Sequence, residues 1–204
     1  MGVLTEKIEA ANALGIANLT DKGVSVGEDA TTYQIMSAIG DISGGEEYAK
    51  YLTQISFYGN TNMPETIEVD CSNIVNLSYC FESARGIKTV SLKNTQNVVN
   101  MTRFLFNSLI ETIGVLDLSG IKTNGGFTTP FSTAPNLTNI EFKANTIPAT
   151  VVFNSKVLTA NSIQNIIDGL ATVSTTQTLT LPSIYALTDE QKATISAKGW
   201  TLAQ

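Results

Sequence analysis

The stretch that decides the fold covers residues 90–118 and reads VSLKNTQNVVNMTRFLFNSLIETIGVLDL. Its two ends are short apolar alternations, and the segment between them is rich in asparagine and aromatic residues. Alternation at period two is typical of a β-strand with one buried face. The stretch therefore predicts a strand, a polar corner, an aromatic return segment and a second strand.

The same order of features recurs along the chain. We place the strand centres at Ile67/Val69, Val90/Leu92, Leu116/Leu118 and Ile140/Phe142, with spacings of 23, 26 and 24 residues between their first members. A period in the twenties is typical of solenoids of the leucine-rich class, in which each coil carries one strand and one return segment. We therefore expect Val90, Leu116 and Ile140 to occupy equivalent interior positions.

The predicted return segments share asparagine pairs and apolar pairs. The apolar pairs have an i, i+4 spacing, so we expect each to lie on one face of a short helix: Leu77/Phe81, Met101/Leu105 and Phe127/Phe131. Asparagine pairs precede the first two of them, at Asn73/Asn76 and Asn97/Asn100. An asparagine side chain at such a corner can bond backbone groups that the bend leaves unpaired.

The N-terminal part has a different pattern. Residues 1–43 predict a small helical hairpin, from an apolar stripe that begins at Leu4 and Ile8 and from a capping-box match at Thr31 and Gln34. Residues 44–62 predict a hinge at the double glycine 44–45, followed by a first strand that contains Ile55 and Phe57. The repeats then occupy residues 63–158.

Residues 159–204 predict a C-terminal cap of alternating helices and strands. Thr159 and the capping-box pair Thr188/Gln191 begin its two helices, and Gly199 ends the second one. The strands contain Val151 and Phe153 before the cap, Leu179 and Leu181 within it, and residues 200–202 at its end. The predicted fold class is mixed α/β: a short leucine-rich-repeat-like solenoid with a parallel strand ladder, preceded by the small N-terminal helical hairpin.

Composition argues against several classes of function. The chain has no histidine, which removes the usual general base at neutral pH and the commonest zinc ligand. Its best candidate acids, Glu65, Glu68 and Asp70, form no recognisable catalytic pair. A net charge of −6, with 12 cationic residues scattered singly, argues against a nucleic-acid partner. We expect no enzymatic activity, no cofactor and no metal.

Export, membrane and cysteine signals are weak. No stretch approaches the ~20 apolar residues that span a bilayer. Glu6, Lys7 and Glu9 interrupt the apolar run that a signal peptide needs, so we expect neither membrane insertion nor classical secretion. Cys71 and Cys80 are either reduced core thiols or a disulfide pair, and both interpretations stay open.

A resemblance adds to this interpretation. The run from Asn97 to Leu109, which leads to Leu116-Asp117-Leu118-Ser119, resembles the BspA-type leucine-rich repeats. In that family an Asn-Val-Thr-Asn-Met element precedes a Met-Phe pair, a cysteine or small residue, and then Leu-Asp-Leu-Ser. The resemblance covers residues 63–142, and Cys80 does not fall at the family's usual cysteine position. It implies adhesion or scaffolding and carries over no catalytic residue.

A second resemblance concerns the setting. The ending, residues 187–195 and 198–203, together with the small helical N-terminal module, resembles tail-associated proteins of bacteriophages and prophages. This implies a virion structural or host-binding protein of the tail, baseplate or fibre, assembled in the host cytoplasm. The alternative is a bacterial cell-surface adhesin fragment. The implied partners are other virion proteins, reached through the N-terminal helices, and a host-surface glycan or protein, and we expect a homo-oligomer.

The strands also predict one outward row of polar residues. Because alternate strand residues point to opposite faces, this row comprises Glu68, Asp70, Ser91, Lys93, Asp117, Ser119, Glu141 and Lys143. A sugar or a protein could hydrogen-bond to such a mixed polar row. The alternative is that these are only solvated strand positions.

Overall fold

The structure is a computed structural model that describes residues 55–59, 64–121 and 124–204. The predicted helical hairpin of residues 1–43 and most of the predicted hinge lie outside the described residues. The described residues belong to one compact unit, Gln54–Gln204. It has a mixed α/β fold with two parallel sheets, as the sequence predicts at this level.

The two sheets follow one another along the chain. The first contains β1 (Thr66–Asp70), β2 (Thr89–Lys93), β3 (Thr112–Leu116) and β4 (Asn139–Phe142), and the second contains β5 (Val151–Val152), β6 (Gln177–Thr180) and β7 (Trp200–Ala203). Helix α1 (Ala160–Gly169) lies between β5 and β6, and α2 (Asp189–Ala197) lies between β6 and β7. Two single-turn 3-10 helices cover Thr95–Asn97 and Asn124–Gly126. We call each strand of the first sheet, with the return segment that follows it, a repeat unit.

The register of the first sheet corrects the predicted alignment. The inward cross-strand partners are Ile67, Val90, Ile113 and Ile140, which are all buried and are spaced by 23, 23 and 27 residues. The prediction that Leu116 matches Val90 is therefore wrong, and Leu116 instead pairs with Phe142. A bulge between Ile113 and Val115 inserts one residue into β3, so the period-two alternation shifts at that point.

The return segments also differ from the prediction. Residues 78–83 and 102–107 are consecutive turns and not short helices. Alternate N–H groups donate to carbonyls of the next repeat unit, for example Leu77 N to Asn100 O (2.7 Å) and Phe81 N to Phe104 O (3.0 Å). This path needs left-handed backbone at two positions in the turns of each of the first three units, with φ between 47° and 59°: Tyr79, Ser83, Arg103, Asn107, Thr129 and Thr133.

The asparagine corners behave as predicted in the first two units. The side-chain oxygen of Asn76 accepts a hydrogen bond from Ser78 N (2.9 Å), and that of Asn100 accepts one from Thr102 N (2.9 Å). The two asparagines are also bridged to each other through the backbone. Each side chain therefore bonds an N–H group where the chain turns into the return segment.

A column of phenylalanines fills the interior next to the return segments. Phe57 stacks on Phe81 with ring centroids 5.0 Å apart, and Phe81 meets Phe104 edge to face at 5.3 Å. Phe131 continues the column and stacks on Phe153 at 5.2 Å. Such pairs stabilise a core beyond the area they bury. The column links the repeat units to the second sheet.

Two predictions near this column have clear outcomes. The predicted strand at Ile55 and Phe57 is wrong, because residues 55–57 belong to neither sheet. Phe57 N instead donates to Cys80 O (2.6 Å), which makes this segment part of the ladder of return segments. Cys71 and Cys80 are buried free thiols, and burial raises the pKa of Cys71 to about 12 and that of Cys80 well above its usual value.

Helix α1 ends the first sheet. It packs beside β4, where Ser162 Oγ accepts a hydrogen bond from Ile140 N (3.0 Å) and donates one to Thr138 O (3.2 Å). Gly169 allows the close approach, because a Cβ atom there would lie only 2.8 Å from Phe142 Cβ. The helix thus covers a strand edge that would otherwise expose unpaired backbone groups.

The helices and strands predicted for residues 159–204 are present in the structure. Thr159 and Thr188 cap the two helices, and Thr188 with Gln191 forms a complete capping box. Gly199 has φ 86° directly after α2, and the buried Trp200 donates from its indole N–H to Ala171 O (2.7 Å). None of the helices in the described ranges is long and apolar enough to cross a membrane.

Candidate functional site

The outward face of the first sheet carries three rows of polar side chains. The row nearest the strand starts contains cross-strand partners that the sequence analysis missed: Thr66, Thr89, Thr112 and Asn139. The sequence does indicate the three threonines of this row, because each directly precedes an inward-facing residue: Ile67, Val90 or Ile113. The second and third rows contain the predicted residues.

The structure brings most of the predicted row together. Glu68 pairs with Ser91, and Asp70 pairs with Lys93, across β1 and β2. Glu141 lies opposite Val115, which is 53% exposed, because the bulge displaces the alternation of β3. The remaining predicted residues follow the strand ends: Asp117, Ser119 and Lys143.

Most charges on this face are paired between neighbouring repeat units. Lys93 forms an ion pair with Glu68, and Lys143 Nζ lies 2.7 Å from Asp117 Oδ2. Hydrogen bonding and attraction by Glu68 raise the pKa of Lys93. Burial alone would raise the pKa of Asp117, but bonds from Lys143 and Ser119 outweigh it and lower that pKa.

Asp70 is held in the same way by uncharged donors. Its Oδ1 accepts hydrogen bonds from Asn94 Nδ2 (2.9 Å), Ser72 Oγ (2.6 Å) and Ser72 N (2.9 Å). The bonds from Asn94 and Ser72 lower the pKa of Asp70. Asn94 itself has left-handed backbone with φ 59°, which directs the chain into the following 3-10 helix. The carboxylate therefore fixes the corner after β1 and β2.

An open depression of about 550 Å³ lies at the ends of these strands. Its lining includes Ser91, Lys93, Asn94, Gln96, Asp117 and Lys143, around the exposed Val115. The lining presents hydroxyl, amide, ammonium and carboxylate groups beside the apolar surface of Leu92 and Val115. In the described part of the chain, no three carboxylate or thiol side chains are grouped so that they could hold a metal ion. The arrangement can hydrogen-bond an uncharged polar ligand.

Comparison with protein-family models, with curated proteins and with solved structures finds no match to this chain. The chain's own residues are therefore the basis for assigning a function.

Proposed function

We propose that this protein is a non-catalytic binding scaffold, built as a short solenoid of leucine-rich type. Two regularities support the solenoid. Cross-strand partners in the first sheet are 23 or more residues apart, and the return segments bond across the same interval, as from Tyr79 N to Thr102 O (2.9 Å). Stacked units of this kind bury faces that a single unit would expose.

The observation that carries the binding role is the sheet face around the depression. Four of its charged side chains form two ion pairs between neighbouring units, Glu68 with Lys93 and Asp117 with Lys143, which restrains the two lysines. Exposed ion pairs contribute little stability, typically about 0–1 kcal/mol. A fixed pattern of donors and acceptors favours recognition, because less side-chain entropy is lost when the ligand binds.

Two properties of the chain favour binding over catalysis. It has no histidine, so a Ser-His or Cys-His dyad cannot form. Asp70 and Asp117 both make structural hydrogen bonds, and their lowered pKa values keep them ionised at neutral pH, which does not suit a general acid.

For the setting, we propose a virion component of tail, baseplate or fibre type, based on the resemblance of the C-terminal ending and the N-terminal module. Quantitative mass spectrometry of gradient-purified particles from the source strain tests it. We expect the chain at a fixed copy number relative to the major tail protein. Recovery in the cell-wall fraction, with none in particles, would instead favour the adhesin alternative.

A pair of charge-reversing variants tests the sheet face. Ser91→Lys with Glu141→Lys adds three positive charges to the face at side chains that make no hydrogen bond or ion pair among the described residues. Ser183→Lys with Glu190→Lys adds the same charge at exposed positions elsewhere. We expect only the first variant to lose binding of particles, or of the purified chain, to host cells. Equal binding by both folded variants would remove this face from the proposal.

A further inference from the structure

A second polar cluster lies on the return segments and not on the strands. Arg103 Nη2 lies 2.6 Å from Glu82 Oε1. The guanidinium carbon of Arg103 also lies 4.0 Å from the ring centroid of Phe106 and 5.7 Å from that of Tyr79. Arginine held over aromatic faces is typical of binding surfaces.

The ion pair in this cluster is incompletely satisfied. The Glu82 side chain is only 9% exposed, and among the described residues its Oε2 has no hydrogen-bond partner. Arg103 Nε is likewise buried without an acceptor. Leaving a buried donor or acceptor unpaired costs about 1–3 kcal/mol, and more for a charged group. Such a pair is therefore a weak source of stability for the unliganded fold.

The fold does not require this pair. The left-handed position taken by Arg103 is taken by Tyr79 in the unit before and by Thr129 in the unit after. Those residues carry no charge, yet the turn has the same form in all three units. The backbone therefore accepts several side chains here, and the Glu82–Arg103 pair is a local specialisation of the first two units.

One chemical group matches both unsatisfied atoms. A hydroxyl donates to a carboxylate oxygen and accepts from an N–H at the same time. Tyr79, beside the pair, is 46% exposed. Tyr58, which follows Phe57 in the sequence, is 52% exposed. Aromatic rings that are half exposed offer flat apolar surface. The pair itself is neutral overall, so the cluster suits a ligand with many hydroxyls and no net charge.

The surface continues into a depression of about 250 Å³ in the next units. Its lining includes Phe127, Thr128, Thr129 and Thr150. Arg103 N donates to Thr128 O (2.9 Å), so the depression begins directly beside Arg103. Neighbouring units stack at about 4.8 Å, which gives a track of about 14 Å from Tyr79 to Thr150. This length accommodates more than one sugar ring.

We propose that the return-segment track binds a neutral oligosaccharide, with Tyr79 as the stacking platform and Glu82 and Arg103 as the hydroxyl-binding pair. Both unpaired atoms are covered in the unliganded protein. A ligand hydroxyl reaches them when Arg103, whose side chain is 38% exposed, moves off its partners. The site is separate from the sheet face, so either one can fail without the other.

Calorimetric titration of the full chain with maltohexaose, cellohexaose, laminarihexaose and chitohexaose tests the proposal. We expect at least one of them to bind with a Kd of about 1 mM or tighter. Tyr79→Ala and Glu82→Gln should each weaken that binding at least about tenfold, which is about 1.4 kcal/mol. Tyr79→Phe keeps the ring and should retain binding within about twofold, or about 0.4 kcal/mol.

Two control variants test whether sugar binding is specific to the track. Ile184→Ala removes an exposed apolar side chain outside the track (64% exposed), and the Ser183→Lys/Glu190→Lys variant alters exposed charge away from both the track and the sheet face. Both should bind the sugar as the wild type does. The proposal is overturned if no hexasaccharide binds, as it would be if a buried water satisfies the pair or a protein partner covers it. Binding that survives Tyr79→Ala in a protein with unchanged thermal melting would overturn it as well.

Discussion

Replacement of Gly126 by alanine should destabilise the protein, because the backbone of the neighbouring repeat unit leaves no room for a Cβ atom there. A Cβ atom at Gly126 would lie 2.3 Å from Val99 O and 3.4 Å from Val99 C. Carbon–oxygen contacts in proteins are normally about 3.3 Å or longer. The second and third units would therefore have to separate locally by about 1 Å.

The cost of this separation can be worked out from the contacts. Gly126 O accepts a hydrogen bond from Met101 N at 2.7 Å, and a shift of about 1 Å takes that distance beyond the normal limit. The lost bond costs about 1 kcal/mol. Overpacking of a rigid site adds about 1–3 kcal/mol. We expect Gly126→Ala to lose about 2–4 kcal/mol of unfolding free energy.

Gly114 provides the matched control. It also lies in the third unit, in β3, but an added Cβ would meet nothing closer than Ser91 at 3.8 Å. Its backbone is not left-handed, so alanine is compatible with it. Gly114→Ala should leave stability unchanged or raise it by up to about 1 kcal/mol, because alanine restricts the unfolded chain.

Thermal unfolding, followed by the fluorescence of the single tryptophan, compares the two variants. For a unit of about 150 residues, 1 kcal/mol corresponds to about 2–4 °C in Tm. The two variants should differ by about 2–5 kcal/mol, so the Tm of Gly126→Ala should lie about 4–20 °C below that of Gly114→Ala. Equal Tm values would refute the reasoning, since they would mean that the units separate at no cost.

Contacts elsewhere in the fold support four more predictions. Thr129→Gly should be about 1 kcal/mol more stable than Thr129→Ala in urea unfolding, because Thr129 has φ 47°, and equal stabilities would argue against the left-handed turn. Ser162→Ala should lower the free energy of unfolding by about 1–3 kcal/mol in calorimetry, because it leaves Ile140 N without its acceptor. Ser196→Ala, at an exposed serine, should change it by less than about 0.5 kcal/mol. Lys198→Met should lower the free energy of unfolding by about 2 kcal/mol in urea, because Lys198 Nζ donates to three carbonyls at the end of α1, at 2.7–3.1 Å. Lys192→Met is the control at an exposed lysine. The pKa of Asp117 is lowered, so its contribution to stability is complete above the usual value of 3.8 and is lost as the pH falls below it. Asp117→Asn should therefore flatten the fall in Tm below pH 3.8, and an unchanged slope would contradict the assignment.

The sequence predicts elements better than it predicts register. Alternation of apolar residues located β1, β2 and β4, but it placed the third strand at Leu116/Leu118, whereas β3 covers Thr112–Leu116. It therefore matched Leu116 with Val90, where Ile113 belongs. From Ile113 to Leu118 the sequence fits two different alternations of inward and outward residues. The backbone shows that the bulge after Ile113 is where the chain changes from one alternation to the other. Gly114 was the available signal, because an isolated glycine within a strand often marks a bulge.

The return segments were misread for a related physical reason. A four-residue turn repeat and a helix both place residues i and i+4 on the same side, so the pair Leu77/Phe81 fits either one. Glycine or asparagine would have indicated left-handed turns, but the residues that adopt them include Tyr79 and Arg103. Hydrogen bonds to the neighbouring unit stabilise these positions. That support is not encoded within any one segment.

The candidate sites differ in how far a sequence can predict them. The sheet face follows from alternation, and once one inward residue is known its outward neighbours are known too. The Glu82–Arg103 pair depends on stacking, because the two residues are 21 apart in the chain and meet only when consecutive units pack in register. A short sequence motif therefore cannot predict this contact.

The sheet face and the return segments also differ in how well they tolerate substitutions. An outward strand residue faces solvent on a regular backbone, so its replacement changes stability little. A return-segment residue stands on a left-handed backbone between two units in contact, where unsuitable side chains are costly. Arg103 occupies such a position, and two buried polar atoms of Arg103 and Glu82 have no partner within residues 55–59, 64–121 and 124–204. Neutral residues at the equivalent left-handed positions show that the turn does not need this charge pair. A ligand that completes the hydrogen bonds would recover the lost stabilisation on binding, so the cost to the unliganded fold becomes affinity for that ligand.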